Sequence, residues 1–181
     1  PEAEPLRIGV CLPMSGDLKA QGEEQWQALC LANTLWPTVR SHRVELVLRD
    51  TRGDATGTGE ALADLFAQKG IVALIGGVSE AEVRAAQPLL QAHPVPLLVT
   101  TAQVPLVRGG TANLWRLGSS LKHRAWAATR LARDRLGAFT AMVVVDPQDS
   151  ASVRLASMFS ALFINQGSAI ERMNAPSRSR A

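Results

Sequence analysis

The chain has 181 residues, of which 46% are hydrophobic, and 19 Lys and Arg against 16 Asp and Glu give a net charge of +3. That length bounds it to one medium domain or two small ones with a real core, and the mixed-sign charge, whose excess gathers at Arg172, Arg178 and Arg180, leaves no basic stripe of the kind nucleic acid requires. No apolar run approaches the roughly 18 residues of a membrane helix, no signal peptide is visible, and Pro1-Glu-Ala-Glu-Pro5 reads as a linker or a processed end.

The first strand is Leu6-Arg-Ile-Gly-Val-Cys-Leu12, running into Pro13-Met-Ser-Gly16. A helix is predicted over residues 21–35, because Trp26, Leu29, Cys30 and Asn33 share one face at helical spacing, and Pro37 ends it. Residues 44–50 form a second strand. The second helix is expected after Gly57 and Gly59, with Leu62, Leu65 and Phe66 on its core face and Gly70 as its carboxyl cap. The strand from Ile71 leads through Gly76-Gly77 into Ser79-Glu-Ala-Glu82, a capping box that opens the third helix. Pro88 lies too deep for a first turn and predicts a kink or an early stop. The connector His93-Pro-Val-Pro96 enters a strand closing on Thr100-Thr-Ala102.

A loop over residues 103–111 and a short extended piece over 113–117 follow, then a linker at Gly118-Ser-Ser120. The rest reads as helix 121–136, strand 140–145, helix 152–166 and strand 169–173, with a polar tail from Asn174 that frays. This alternation implies the α/β class: an open parallel sheet with helices on both faces in flavodoxin-like order 2-1-3-4-5, followed by the start of a second similar lobe. The expected division is 1–117 and 118–181.

Open parallel sheets bind ligands at the carboxyl ends of their strands. Three hydroxyl-bearing loops fall there: Ser15 after the first strand, Ser79 after the third, and Thr100 with Thr101 after the fourth. Ser79 and the unbonded N–H groups of a helix start suit a carboxylate. Gly77-Val-Ser79-Glu-Ala81 resembles a nucleophile elbow only faintly, with Ala in the last place and no His of evident partnership, so no catalytic residue is expected. Asp50 and Asp54 read as a loop-shaping residue and a helix cap in preference to an acid/base pair. Trp115 and Trp126 either line a cleft or pack in the core. Cys11 and Cys30 are two buried thiols or a disulfide. Gly57-Thr-Gly59 is a helix entry rather than a dinucleotide fingerprint, and His42, His93 and His123 match no ligand spacing. No cofactor or metal is expected.

Ile8-Gly9, Leu12-Pro-Met-Ser-Gly16, Gly22, Arg49-Asp50 with Asp54, Ile75-Gly76 with Ser79, Val95-Pro96 with Thr100-Thr101-Ala102, and Arg116 come in an order that resembles the type I periplasmic binding proteins, the branched-chain amino-acid branch above all. The resemblance spans about residues 7–173. It implies two α/β lobes around a cleft, a small amino acid or carboxylate as ligand, a periplasmic or extracellular location, the membrane subunits of an ABC transporter as partners, and no nucleic acid or enzymatic activity. By it, Ser79 or Glu80 matches the position that holds the ligand carboxylate, Ala102 and Gln103 match the next ligand loop with Gln103 in place of a threonine, and Ser150 falls where a tyrosine is common. The chain contains no tyrosine.

Such proteins run to nearly twice this length, so the second lobe is expected to be truncated. The chain is then a fragment, a smaller fold, or a subunit of a homo-oligomer that completes the lobe. The alternative function is a sensor or assembly protein of the same fold recognising a peptide or protein.

Overall fold

In the computed structural model residues 4–101, 113–165 and 167–175 are described. The chain divides into two compact units, Pro1–Gly118 and Ser119–Ala181. In chain order the first unit holds β1 (Leu6–Leu12), α1 (Lys19–Leu35), β2 (Thr38–Val39), β3 (His42–Asp50), α2 (Ala55–Ala67), β4 (Ile71–Gly76), α3 (Glu80–Ala92), β5 (Leu97–Val99) and β6 (Leu114–Arg116). The second holds α4 (Leu121–Arg130), which widens into a π-helical turn at Leu131–Arg135, then β7 (Thr140–Val145), α5 (Ser150–Ile164) and β8 (Ala169–Asn174).

The first sheet has the order β2-β3-β1-β4-β5-β6. All pairings are parallel except β2 with β3, a short antiparallel hairpin at the edge. Setting that hairpin strand aside, the order is the expected 2-1-3-4-5. Because the crossover from β1 to β3 runs opposite to the one from β3 to β4, right-handed connections put α1 on one face and α2 with α3 on the other. The buried core agrees with this: Cys11 and Val47, Leu74, Leu97 and Val99 from the strands pack with Leu62 and Leu65 of α2 and Val83, Ala86 and Leu90 of α3. On α1 the face predicted from spacing, Trp26, Leu29, Cys30 and Asn33, is the half-buried one.

The same geometry explains the cysteines. Cys11 points into the α2–α3 side of the sheet, Cys30 belongs to α1 on the opposite side, and both are free thiols. Burial first, and then the neighbouring Glu82 carboxyl, push the Cys11 thiol up to about 12, so at neutral pH it behaves as a small apolar side chain.

Four local expectations are corrected. Helix α2 starts at Ala55 with Asp54 as its cap, so Gly57 and Gly59 lie inside the helix and not ahead of it. Gly70 does not cap α2, which ends at Ala67; it sits at φ 83° in the turn into β4. Of the kink or early stop expected at Pro88, the early stop does not occur: α3 continues to Ala92, because Pro88 faces solvent and removes only one backbone donor. The predicted helix over 121–136 is α-helical only to Arg130, after which the Leu136 N–H bonds the Leu131 carbonyl five residues back.

In the second unit β7 and β8 pair in parallel, and Phe163, fully buried, stacks on Phe159 with ring centroids 5.3 Å apart. Phe139, Met142 and Val144 are exposed. Trp115 and Trp126 are also largely exposed rather than packed in the core. Among the described residues no helix is long and apolar enough to cross a membrane.

Candidate functional site

The strand order reverses between β1 and β4, and in an open α/β sheet the crevice lies outside the carboxyl ends of the strands at that point. Ser15 follows one of those strands and Ser79 the other, so the two serines flank the reversal.

On the β1 side, Asp50 at the end of β3 gathers the loop. Its Oδ2 accepts from the Ser15 hydroxyl at 2.7 Å, and its Oδ1 accepts from the N–H of Met14 and of Arg52, each at 2.8 Å. Partial desolvation would raise the Asp50 carboxyl, but these hydrogen bonds, the Ser15 hydroxyl foremost, outweigh it and hold the group below its ordinary value of 3.8. A lowered folded value means the stabilisation is complete above the ordinary value and is lost as pH falls through the lowered one. Amide exchange of residues 14–16, corrected for intrinsic rate, is therefore expected to stay constant above about pH 4 and to accelerate only below it. Asp50→Asn should show no such acid limb, and a break well above the ordinary carboxyl value would contradict the assignment. Asp54 caps α2, its Oδ1 accepting from the Gly57 N–H at 2.7 Å. The pair thus acts as loop-shaper and cap.

On the β4 side the chain turns sharply at Gly77, whose φ of 71° is one that L side chains rarely adopt. A Cβ there would lie 2.7 Å from Val83 Cγ2, so glycine is required twice over. The turn delivers Ser79 to the N-cap of α3. Its hydroxyl oxygen accepts from the Glu82 N–H at 3.2 Å, while Glu82 Oε2 accepts from the Ser79 N–H at 2.7 Å. The hydroxyl keeps its proton for a further acceptor. The Ala81 N–H, in the first helical turn, has no helical carbonyl to bond. Glu80, the other residue expected at this point, pairs with Arg84 one turn on, whose Nη2 lies 2.6 Å from its Oε1.

Strand β5 runs on beside this turn. The Thr100 N–H bonds the Gly76 carbonyl and the Thr101 N–H bonds the Gly77 carbonyl, both at 3.1 Å. Thr101 is buried, and among the described residues the buried Thr100 Oγ1 has no hydrogen-bond partner. The structure therefore brings Ser79, Thr100 and Thr101 to adjacent strand ends, with Ser15 across the reversal. Ala102 and Gln103 lie outside the described residues. Ser150 is the exposed first residue of α5 in the second unit, directly after the cap Asp149.

Sequence reasoning found Glu82 as half of a capping box but not its burial, and it passed over Thr51. Thr51, fully buried just after β3, donates its hydroxyl to Glu82 Oε1. The signal that could have found it is a hydroxyl residue placed where a strand ends and a helix cap follows. His93 cannot serve Ser79 as a base: it caps the opposite end of α3, about 20 Å away at 1.5 Å per residue, and stacks on Phe66 at 4.3 Å. Among the described residues no group of His, Cys, Asp and Glu is placed to hold a metal ion. A depression of about 450 Å³ in the second unit is lined by Met142, Val144, Leu155 and Phe159 with Arg124 and Ser152. It is an uncovered apolar face of β7 without the convergent hydroxyls of the first unit.

A family model described as periplasmic binding protein matches residues 5–170. No curated protein matches the chain. Among solved structures, the leucine binding protein LivK of Thermotoga maritima is 30% identical, with a TM-score of 0.75 over 97% of this chain and 50% of its own. An ABC transporter substrate-binding protein of Sphaerobacter thermophilus shares the fold at 23% identity and TM-score 0.82, over 98% of this chain and 49% of its own. A solute binding protein of an ABC transporter from Rhodopseudomonas palustris, solved with 3,4-dihydroxybenzoic acid, does so at 19% and 0.79, over 95% and 47%. The chain thus spans about half the length of the solved relatives it matches.

Proposed function

This chain belongs to the type I periplasmic binding proteins, and on that premise we propose that it serves as the solute-binding component of an ABC transporter, taking a small amino acid or another small carboxylate at the carboxyl ends of the first-unit strands. Members of the family are solute-binding proteins rather than enzymes, and membership implies an extracytoplasmic location. The observation that carries the ligand class is the pairing of the Ser79 turn with Thr100. A hydroxyl with its oxygen already engaged, a first-turn amide of α3 and a buried hydroxyl without a partner among the described residues stand on neighbouring strand ends. All three can donate to a carboxylate, and the amino end of α3 adds a favourable dipole. Amino acids and aromatic acids, the solutes named for relatives in this fold, share that group. The transporter's membrane subunits would then be the protein partner.

A thermal-unfolding series tests this reading. L-leucine or benzoate is expected to raise the melting temperature with concentration, since a ligand at 100 times its Kd adds about 2.7 kcal/mol to the native state. Leucinamide and benzamide, which lack the carboxylate, should not. A cooperatively unfolding sample indifferent to amino acids and small carboxylates alike would overturn the proposal.

A further inference from the structure

Glu82 is only 1% exposed and ranks among the largest fully buried side chains. A carboxyl group in such a place is costly unless its oxygens are bonded, and its neighbours along α3, Val83, Ala86 and Leu90, show that an apolar residue would fit the surroundings. Among the described residues no cation pairs with it; its partners are the Ser79 N–H on one oxygen and the Thr51 hydroxyl on the other. Beside it lies a cavity of about 10 Å³ lined by Cys11, Thr51, Thr58 and Gly77, room for one water at most.

Thr51 carries the connection further. Its N–H bonds the Leu12 carbonyl at the end of β1 at 3.0 Å, its carbonyl accepts from the Asp54 N–H at 3.2 Å, and its hydroxyl also receives the Gly53 N–H at 3.4 Å. One buried carboxyl thus ties the turn after β4 to the turn after β3 and, through Thr51, to the end of β1. These are the loops that carry Ser79, Asp50 and Ser15.

We propose that Glu82 is the positioning residue of the binding rim: through Ser79 and Thr51 it fixes the angle at which the Ser79 hydroxyl is presented and locks the β3 and β4 turns into one unit. The proposal rests on the ligand reading above only for its functional consequence, because the coupling of the two turns can be measured without ligand. The role is geometric. Glutamine keeps the oxygen that receives the Ser79 N–H, and the Thr51 hydroxyl can reverse to accept from the new amide. Alanine or a missing Thr51 hydroxyl leaves a buried group unpaired.

The experiment is hydrogen exchange by mass spectrometry on the whole chain, following segments 77–83 and 49–57 in the wild type, Glu82→Gln, Glu82→Ala and Thr51→Val. Glu82→Ala is expected to speed exchange in both segments by about tenfold, and Thr51→Val to speed the 77–83 segment although Thr51 lies on another element. Glu82→Gln should stay near the wild type. Independent behaviour of the two segments overturns the proposal, and so does a Glu82→Gln variant as disturbed as Glu82→Ala. Thr51→Val and Glu82→Gln keep the question open to measurement if Glu82→Ala does not fold. Titration with L-leucine and benzoate then follows. If the wild type binds one of them, its affinity should drop about tenfold in Glu82→Ala and be restored in Glu82→Gln, and equal affinity in all variants overturns the functional part. If the wild type binds neither, the ligand reading fails while the exchange data still decide the coupling.

Discussion

Alanine at Gly59 should stabilise the protein by about 0.5–1 kcal/mol, whereas alanine at Gly57, two residues earlier in the same helix, should destabilise it by about 1–3 kcal/mol. Helix propensity alone predicts a gain at both, since glycine in a helix interior costs backbone entropy. The surroundings reverse the sign at one of them. A Cβ on Gly59 meets nothing within 4 Å, while a Cβ on Gly57 would lie 2.2 Å from the Thr51 carbonyl oxygen, a backbone atom that cannot swing aside. Gly22 on α1 should behave like Gly57, its Cβ falling 1.9 Å from the Pro13 carbonyl oxygen. Both crowded positions hold a helix start against a loop of the proposed binding rim, so the loss should also appear as faster exchange in residues 13–18 for Gly22→Ala and in 49–57 for Gly57→Ala. Urea unfolding of the three single variants checks the signs. A uniform gain would mean that the close approaches relax at little cost and that propensity governs.

These glycines show where the sequence was readable and where it was not. The alternation of apolar runs with helical spacing is a local signal, and it located β1, β3, β4 and the core faces of α1 and α2, hence the sheet order. Ser79 with Glu82 is a local signal as well, and the capping box is present. The β2–β3 hairpin had no such signal. Its turn places Arg40 and Ser41 at φ 48° and 69°, a geometry that usually announces itself with Asn-Gly, and here neither residue does. The π-helical turn after Arg130 is likewise set by tertiary contacts. Arg133 lies over Phe139 at 4.6 Å and reaches Ser168 at 2.7 Å, a partner 35 residues away that no local window contains. The close approaches at Gly22 and Gly57, and the bond from Thr51 to Glu82, belong to the same class. Thr51 and Glu82 are distant in sequence, and the glycine contacts depend on how each helix start folds back on the strand end before it, so only the assembled sheet reveals them.

Ser79→Asp should abolish carboxylate binding while leaving the fold intact, with affinity falling about a hundredfold or more. Serine at this position has two duties that the usual alanine substitution removes together. As the N-cap of α3 it satisfies the Glu82 N–H, and loss of a cap costs about 0.5–2 kcal/mol. As a ligand group it would donate its remaining proton, a hydrogen bond to a charged partner worth about 1.5–3 kcal/mol. Aspartate is as good a cap as serine and suits the amino end of a helix, so the melting temperature should hold or rise. Yet it has no proton to give and sets a like charge where the ligand carboxylate would sit. Ser79→Gly provides the complement, losing the hydroxyl with only a few tenths of a kcal/mol of capping energy. Calorimetric titration with L-leucine and benzoate, beside thermal unfolding of the same samples, separates the duties. If Ser79→Asp binds as tightly as the wild type, the carboxylate does not dock at the α3 turn. The Thr100 hydroxyl, without a partner among the described residues, would then mark the place to look, because a buried donor left unpaired remains costly wherever the ligand's own charge lies.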